Sequence, residues 1–417
     1  MTIAQLSSIF FLQMAVIIIA CRVVGWLAHR YLGQPQVVGE MIAGVVLGPS
    51  IFGAIAPQMQ AMIFPVETKP ILYVGAQLGV GLYMFIVGLE FDRREFRASA
   101  RSAAAVSMAG MLVPFLAAAL LIPMMMGTPG LFTPHVSSWQ ATLFLGSAIA
   151  ITAFPMLARI IHERGISGTK LGTLSLSAGA IGDAGAWAVI ALVLASLGAG
   201  PMVAVKAVGG GLAFAFVMVA VAPRYLARLE IIAEREKGVS STLLAICLIL
   251  FLLSAYAMDS IGIHAVFGGF LLGSAMPRGA LVKGLRARLE PFATVFLLPI
   301  FFTYSGLNTQ LLVVDTPGLI GIALAVLLVS ILAKGGACYI AARLSGQDHP
   351  TAMGIGVLMN ARGLMELIII NIGLERGIIG APLFAMLALM AIVSTLMASP
   401  LFELTQRKKA PPTMPKQ

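Results

Sequence analysis

Apolar segments of membrane-spanning length recur along the whole chain, and this recurrence limits the possible folds more than any other feature. A transmembrane helix needs about 20 consecutive, mostly apolar residues. Thirteen candidate segments occur, of which the ninth and tenth are short: 7–28, 37–56, 70–91, 102–126, 139–160, 171–197, 201–222, 240–257, 263–277, 291–306, 316–342, 350–374 and 380–404. Hydrophobic residues make up 59% of the 417 residues, which is more than a soluble protein can bury. The sequence predicts an all-α polytopic membrane protein with about thirteen transmembrane helices.

Lysine and arginine are distributed unevenly among the connections between these segments. The third connection holds Arg93, Arg94, Arg97 and Arg101, whereas the fourth, 127–138, holds no basic Lys or Arg residue. The positive-inside rule then places the odd-numbered connections and the C-terminus in the cytoplasm and the N-terminus outside. We expect a multi-pass protein of the cytoplasmic membrane of the cell, with 405–417 as a short basic cytoplasmic tail. The net charge of +10 reflects this bias, so we expect no nucleic-acid partner.

Two pairs of segments indicate an internal repeat. AGVVLGPS (43–50) in the second span resembles GGFLLGSA (268–275) in the ninth, and IVGLEFD (86–92) in the third resembles YSGLNTQ (304–310) in the tenth. Both pairs lie seven helices apart, and an odd shift reverses the direction of the chain through the membrane. We predict an inverted repeat of helices 1–6 and 8–13 with 201–222 as a linker helix, an architecture of secondary transporters.

The same shift pairs two spans that are interrupted. Span five contains ITAFPMLAR (151–159), in which a proline removes a backbone donor, and span twelve contains the polar and charged MNARGLMEL (359–367). Breaks at matching positions of two repeats indicate a substrate site, although a pair of ordinary kinks is the alternative. Asn360 is expected to donate or accept a hydrogen bond at the second break. The backbone of the breaks is assigned to Ala153, Phe154, Pro155 and Gly363.

Asp183 lies at the centre of span six, with no Lys or Arg near it in the sequence. An ionisable side chain at the middle of a bilayer costs roughly 2.5–3.5 kcal/mol or more, so its presence needs a reason. A lone carboxylate there can bind a proton or a small cation but hardly both, and this competition is what an antiporter requires. The alternative is a carboxylate that only ties helices together. We assign Ser177, in the same span, to the same ion- and proton-binding site.

Four further charged residues in the spans are candidates for the site or for its support. Lys334, in span eleven, either neutralises Asp183 in the cation-free state or holds the structure together. Arg362 and Glu366 are four residues apart and are expected to form an ion pair that braces the second break, unless Glu366 is a second titrating group. Glu40 begins span two at the cytoplasmic face, where it either lines an inner funnel or has no function.

Seven segments, in order and with this spacing, resemble the monovalent cation:proton antiporters of the Kef-type and plant CHX-like branch, a part of the sodium/hydrogen exchanger superfamily. The segments are QPQVVGEMIAGVVLGPS (34–50), FIVGLEFD (85–92), ITAFPMLARII (151–161), GDAGAWAVIALVLA (182–195), HAVFGGFLLGSAMP (264–277), IFFTYSGLNTQ (300–310) and MNARGLMELIIINIGLERGII (359–379). The resemblance implies that Asp183 is the ion-binding aspartate, that Lys334 is the basic residue of the helix before the second break, and that Thr152 belongs to the first break.

The resemblance also implies an architecture and a mechanism. It predicts a homodimer in which residues 1–404 form the transmembrane antiporter domain. Its scaffold helices lie within 7–91 and 240–306, its core helices lie within 102–197 and 316–404, and two broken helices cross in the core. An elevator-like movement of the core would exchange Na⁺ or K⁺ for protons and serve pH homeostasis.

The sequence departs from the pattern of these antiporters at one position. Many relatives carry an acidic residue, Asn or Gln directly before the ion-binding aspartate, where this chain has Gly182. With one titrating carboxylate we expect electroneutral exchange. The alternatives are a gated potassium efflux pathway, or an exporter or sensor of another solute. We expect no enzymatic activity, no catalytic residues, no cofactor and no metal beyond the transported cation.

Overall fold

The computed structural model describes residues 2–91, 93–194, 196, 201–307 and 316–406. The described chain is helical, with no strand beyond an isolated bridge between Phe132 and Ile379. The α-helices are α1 (Ile3–Leu32), α2 (Gln36–Leu47), α3 (Phe52–Ile55), α4 (Pro57–Ile63), α5 (Lys69–Glu90), α6 (Arg93–Met126), α7 (Ser138–Ala150), α8 (Phe154–Glu163), α9 (Lys170–Leu194), α10 (Pro201–Val205), α11 (Gly211–Phe216), α12 (Ala222–Arg235), α13 (Ser241–Ser260), α14 (Ala265–Ala275), α15 (Ala280–Phe292), α16 (Leu298–Leu307), α17 (Pro317–Leu344), α18 (His349–Leu358), α19 (Leu364–Glu375) and α20 (Ala381–Gln406).

Ten helical segments of the described chain are long and apolar enough to cross a membrane. The polytopic, all-helical class is therefore confirmed. The other three predicted spans coincide with the short α14, with α16 and the end of α15, and with the interrupted pair α18 and α19. The total of thirteen membrane crossings and the inverted repeat stay predictions.

The predicted linker helix and tail differ from the structure in extent. The linker is predicted at 201–222, whereas helical structure continues from Pro201 to Arg235 through π-helical stretches at Lys206–Gly210 and Val217–Val221. The extension occurs because the charged end of this helix is amphipathic and need not lie in the membrane. In the predicted tail, Thr405 and Gln406 still belong to α20, and 407–417 lie outside the described residues.

Both helix interruptions have local causes in the sequence. α7 starts at a capping box in which Ser137 and Gln140 satisfy each other's backbone donors, and it ends at Ala150. α8 then starts at Phe154 with Pro155 in its first turn, where a missing N–H group costs nothing. The second interruption separates Leu358 from Leu364, and its residues include the polar Asn360.

Contacts divide the chain into two compact units. The first consists of Met1–Leu27, Gly39–Arg93 and Trp187–Gln310, and the second consists of Ala28–Val38, Arg94–Ala186 and Leu311–Gln417. The roles of scaffold and moving core for the two groups of helices stay predictions.

Within the first unit, α5 and α14 approach closely because glycines remove the side chains between them. A Cβ atom added at Gly273 would overlap the carbonyl oxygen of Phe85, and one added at Gly88 would overlap that of Phe270. Larger side chains there would push the two helices apart.

Candidate functional site

The two helix interruptions meet inside the second unit. The backbone N–H of Ala153 donates a hydrogen bond of 3.0 Å to the carbonyl oxygen of Ala361. The hydroxyl of Thr152 donates another, also of 3.0 Å, to the carbonyl oxygen of Met359. The side chains of Thr152 and Ala153 are buried. Residues from breaks about two hundred positions apart in the sequence therefore form one structural element.

The carbonyl groups at the end of α7 are bonded by two buried cations. Arg362 donates to the carbonyl oxygens of Ala148, at 2.7 Å, and Ile149, at 2.8 Å. The ammonium group of Lys334 donates to the carbonyl oxygen of Ala150. The last carbonyl groups of a helix have no partner within the helix and carry partial negative charge. The two cations supply both the missing donors and the opposite charge.

Arg362, which lies in the second break, also contacts the two helices that follow it. Its guanidinium lies 3.2 Å from a carboxylate oxygen of Glu366, and both side chains are fully buried. Its backbone N–H donates to the hydroxyl of Thr395 at 2.9 Å, and that hydroxyl lies 2.9 Å from the carbonyl oxygen of Arg362. The ion pair that the sequence predicts is present, and it ties the second break to both the first break and α20.

Asp183 lies on α9, which passes the first break. Gly179, one turn earlier, makes room for this passage, since a Cβ atom there would lie 2.8 Å from the side chain of Leu157. Asp183 is fully buried, and neither of its carboxylate oxygens forms a well-aligned hydrogen bond with a described residue. The backbone N–H of Phe154 and the charge of Lys334 act on it electrostatically.

This environment suits a group that changes its bound ion. A buried carboxylate without a hydrogen-bonded partner is costly unless it binds a proton or a cation. The amino-terminal end of α8 and the Lys334 ammonium stabilise its negative charge when neither is bound. The charges of Arg362 and Glu366 also act on Lys334. The two cations, Lys334 and Arg362, and the two carboxylates, Asp183 and Glu366, therefore form one electrostatic cluster.

The other residues predicted for the site are placed differently. The Ser177 hydroxyl donates to the carbonyl oxygen of Thr173, within its own helix, at 2.6 Å. The amide of Asn360, in the second break, donates to the carbonyl oxygen of Gly356 on α18, at 3.0 Å. Glu40 is buried in the first unit. The described contacts therefore join Thr152, the break backbone, Lys334, Arg362 and Glu366 directly, but they do not bring Ser177 to Asp183.

Three residues near the site, Ser107, Thr395 and Gly179, are not among those predicted from the sequence. Gly182 faces α6, where a Cβ atom would lie 3.3 Å from the hydroxyl oxygen of Ser107. That hydroxyl is buried without a hydrogen-bond partner among the described residues. Ser107 and Thr395 are visible in the sequence only as hydroxyl residues within apolar helices, which is a weak signal. Gly179 gives a stronger sequence signal, because it lies in a run of small residues one turn before Asp183.

Comparisons with known proteins place this geometry in context. The model of the family described as "Sodium/hydrogen exchanger, transmembrane" matches residues 14–405. The chain is 36% identical to the Na(+)/H(+) antiporter NhaS4 of Synechocystis over 93% of this chain and 94% of that protein. It is 32% identical to K(+)/H(+) antiporter 1 of Saccharomyces cerevisiae, over 95% of this chain and 46% of that protein. It is 31% identical to Cation/H(+) antiporter 18 of Arabidopsis thaliana, over 93% and 48% respectively. The chain thus spans about half the length of the yeast and plant relatives.

Proposed function

The chain belongs to the family of transmembrane sodium/hydrogen exchangers, and from this membership and the buried site we propose that it exchanges Na⁺ or K⁺ for protons across a membrane. The family is one of transporters, and the relatives reported above are named as Na⁺/H⁺, K⁺/H⁺ and cation/H⁺ antiporters. The observation that carries the proposal is the fully buried Asp183 carboxylate near the two hydrogen-bonded helix breaks.

Competition at Asp183 is the proposed basis of coupling. The carboxylate binds either one proton or one monovalent cation, and the two loaded forms carry the same charge. If the surrounding Lys334, Arg362 and Glu366 keep their charges, exchange of one cation for one proton moves no net charge. The absence of a side chain at Gly182 supports this electroneutral stoichiometry, because it leaves one carboxylate at this position of α9.

The remaining residues of the cluster hold the site in shape. Lys334 and Arg362 bond the end of α7, and Thr152 joins the first break to the second. We assign the ion contacts to the Asp183 carboxylate, Thr152 and the break backbone. Ser177 is retained as a further member, although its hydroxyl donates within α9. Glu40 is retained as a residue of the inner funnel.

Transport is proposed to proceed by elevator-like movement of the core helices, in a homodimer of the cell membrane with its C-terminus in the cytoplasm. The family membership and the basic residues of the odd-numbered connections support this arrangement. In a cell, such exchange would serve pH homeostasis.

Cation-induced proton efflux from proteoliposomes tests the function. Wild-type protein and the Asp183→Asn variant are compared, with Na⁺ and K⁺ added separately. Asp259→Asn is the matched control, because this carboxylate lies exposed on α13. We expect saturable exchange by the wild type and the control, and exchange by Asp183→Asn at the level of protein-free liposomes.

Each other outcome identifies a different function or site. Exchange retained by Asp183→Asn would move the site, first to Glu366, whose second carboxylate oxygen is buried without a described hydrogen-bond partner. Potassium conductance without proton movement would favour the gated efflux pathway. Wild-type protein inactive with both ions would favour an exporter or sensor of another solute.

A further inference from the structure

Three helices of the second unit enclose an apolar groove that the exchange function does not use. α17, α18 and α20 line about 290 Å³ of space, with Leu332, Gly336 and Tyr339 on one side and Met397 and Leu401 on another. These positions are three or four residues apart on their helices, so each helix presents one continuous face to the groove. The stretch from Leu332 to Tyr339 gives it a length of roughly 10 Å.

The side chains at the mouth of the groove are apolar and exposed. Leu332 is 70% exposed, Met397 is 40% exposed and Leu401 is 37% exposed. All three belong to α17 and α20, which are long and apolar enough to cross a membrane. Exposed apolar side chains on such helices face lipid tails. An acyl chain can therefore enter the groove sideways from the bilayer.

One end of the groove is polar and lies at the end of α17. The hydroxyl of Tyr339 lies 3.0 Å from the Nδ1 atom of His349, at the start of α18. Arg343 follows one turn after Tyr339, is exposed, and donates to the carbonyl oxygen of Gln347 at 2.7 Å. Tyrosine and arginine at a helix end are typical of the membrane interface, where headgroups lie. Asp348, directly before His349, adds an exposed carboxylate at the start of α18.

We propose that the groove is a binding site for one zwitterionic membrane phospholipid. Its acyl chain lies between Leu332 and Met397, its phosphate pairs with Arg343, and its ammonium group faces Asp348. The far end of the groove reaches Asn360, in the second break. The lipid therefore stabilises the packing of α17, α18 and α20 behind the break. This inference does not depend on which ion the protein carries.

The glycines of α17 supply a matched pair of test variants. At both Gly336 and Gly321 an added Cβ atom meets no other atom within 4 Å, so neither substitution disturbs existing packing at that point. Gly336 lines the groove, whereas Gly321 lies exposed on the same helix outside it. Gly336→Phe fills the groove with a ring, and Gly321→Phe adds the same ring elsewhere.

Native mass spectrometry counts the lipids retained by the delipidated protein after titration with phosphatidylethanolamine. We expect wild type and Gly321→Phe to retain one tightly bound lipid more than Gly336→Phe. The same lipid should raise the unfolding temperature of the first two proteins and not that of the third. Equal retention by Gly336→Phe and Gly321→Phe would overturn the proposal.

A second comparison tests the headgroup assignment. Arg343→Gln should weaken phosphatidylethanolamine binding by about two- to fivefold, as expected for an exposed charge pair. Inorganic phosphate at millimolar concentration should not displace the lipid, because the acyl chain supplies most of the binding. Unchanged affinity in Arg343→Gln, or displacement by phosphate, would contradict a phospholipid anchored at both ends.

Discussion

Arg362 links the second helix break to the first, so its replacement should lower the stability of the protein strongly. Arg362→Met replaces a fully buried guanidinium with a shorter, apolar side chain. Two carbonyl oxygens, those of Ala148 and Ile149, lose their donor, and the carboxylate of Glu366 loses its cation. The change therefore affects both helix breaks.

The magnitude follows from these three contacts. Leaving one partner of a buried ion pair uncompensated costs about 3–5 kcal/mol. Hydrogen bonds between membrane helices average about 0.6 kcal/mol each, so the two carbonyl contacts add about 1 kcal/mol. Arg362→Met should therefore lower the free energy of unfolding by about 4–6 kcal/mol. Removing the stranded charge as well, in Arg362→Met/Glu366→Gln, should recover about 3 kcal/mol of this loss.

Equilibrium unfolding in mixed detergent micelles measures these differences. Arg376→Met is the control, because Arg376 lies exposed at the end of α19 and its replacement should change stability by no more than about 0.5 kcal/mol. The reasoning would be refuted if Arg362→Met were as stable as the control. It would also be refuted if the double variant were less stable than Arg362→Met.

Three further predictions concern the same cluster. Thr152→Val removes the hydroxyl that bonds Met359 while keeping the side-chain shape. It should lower the free energy of unfolding by about 0.6–1.7 kcal/mol and slow exchange in proteoliposomes. Unchanged exchange would remove Thr152 from the site. Lys334→Met leaves the Ala150 carbonyl without its donor. The free energy of unfolding, measured by thermal unfolding, should therefore fall by about 1–3 kcal/mol. A variant as stable as the wild type would contradict this hydrogen bond. Electroneutral exchange moves no net charge, so its rate should be the same with or without an imposed membrane potential. Moving one net charge would change the free energy of transport by about 2.3 kcal/mol per 100 mV. A strong dependence of the rate on the potential would therefore exclude one-for-one exchange.

The sequence locates the parts of the site whose residue types are unusual in a membrane. Asp183, Lys334, Arg362 and Glu366 stand out because charge inside an apolar span is costly, and all four are buried. The first break is visible because Pro155 interrupts an apolar run. The four-residue spacing of Arg362 and Glu366 predicts their pairing, which is present although Arg362 lies in the break before α19.

The partners of these residues are mostly not visible in the sequence. Arg362 bonds carbonyl groups more than two hundred residues away, and every residue type has a carbonyl group. The sequence therefore gives no sign that Arg362 and Lys334 bond the end of α7. Ser177 shows the opposite difficulty, because a hydroxyl on a helix has the carbonyl of the preceding turn within reach. Its residue type suggested an ion ligand, whereas its hydrogen bond stays within the helix.

The most direct test of competition at Asp183 is proton release from the detergent-solubilised protein on addition of Na⁺ or K⁺. A pH indicator in weak buffer, with cation binding measured in parallel, gives the number of protons released per cation bound. We predict one proton per cation for the wild type, and neither binding nor release for Asp183→Asn. Cation binding without proton release by the wild type, or undiminished release by Asp183→Asn, would contradict the account.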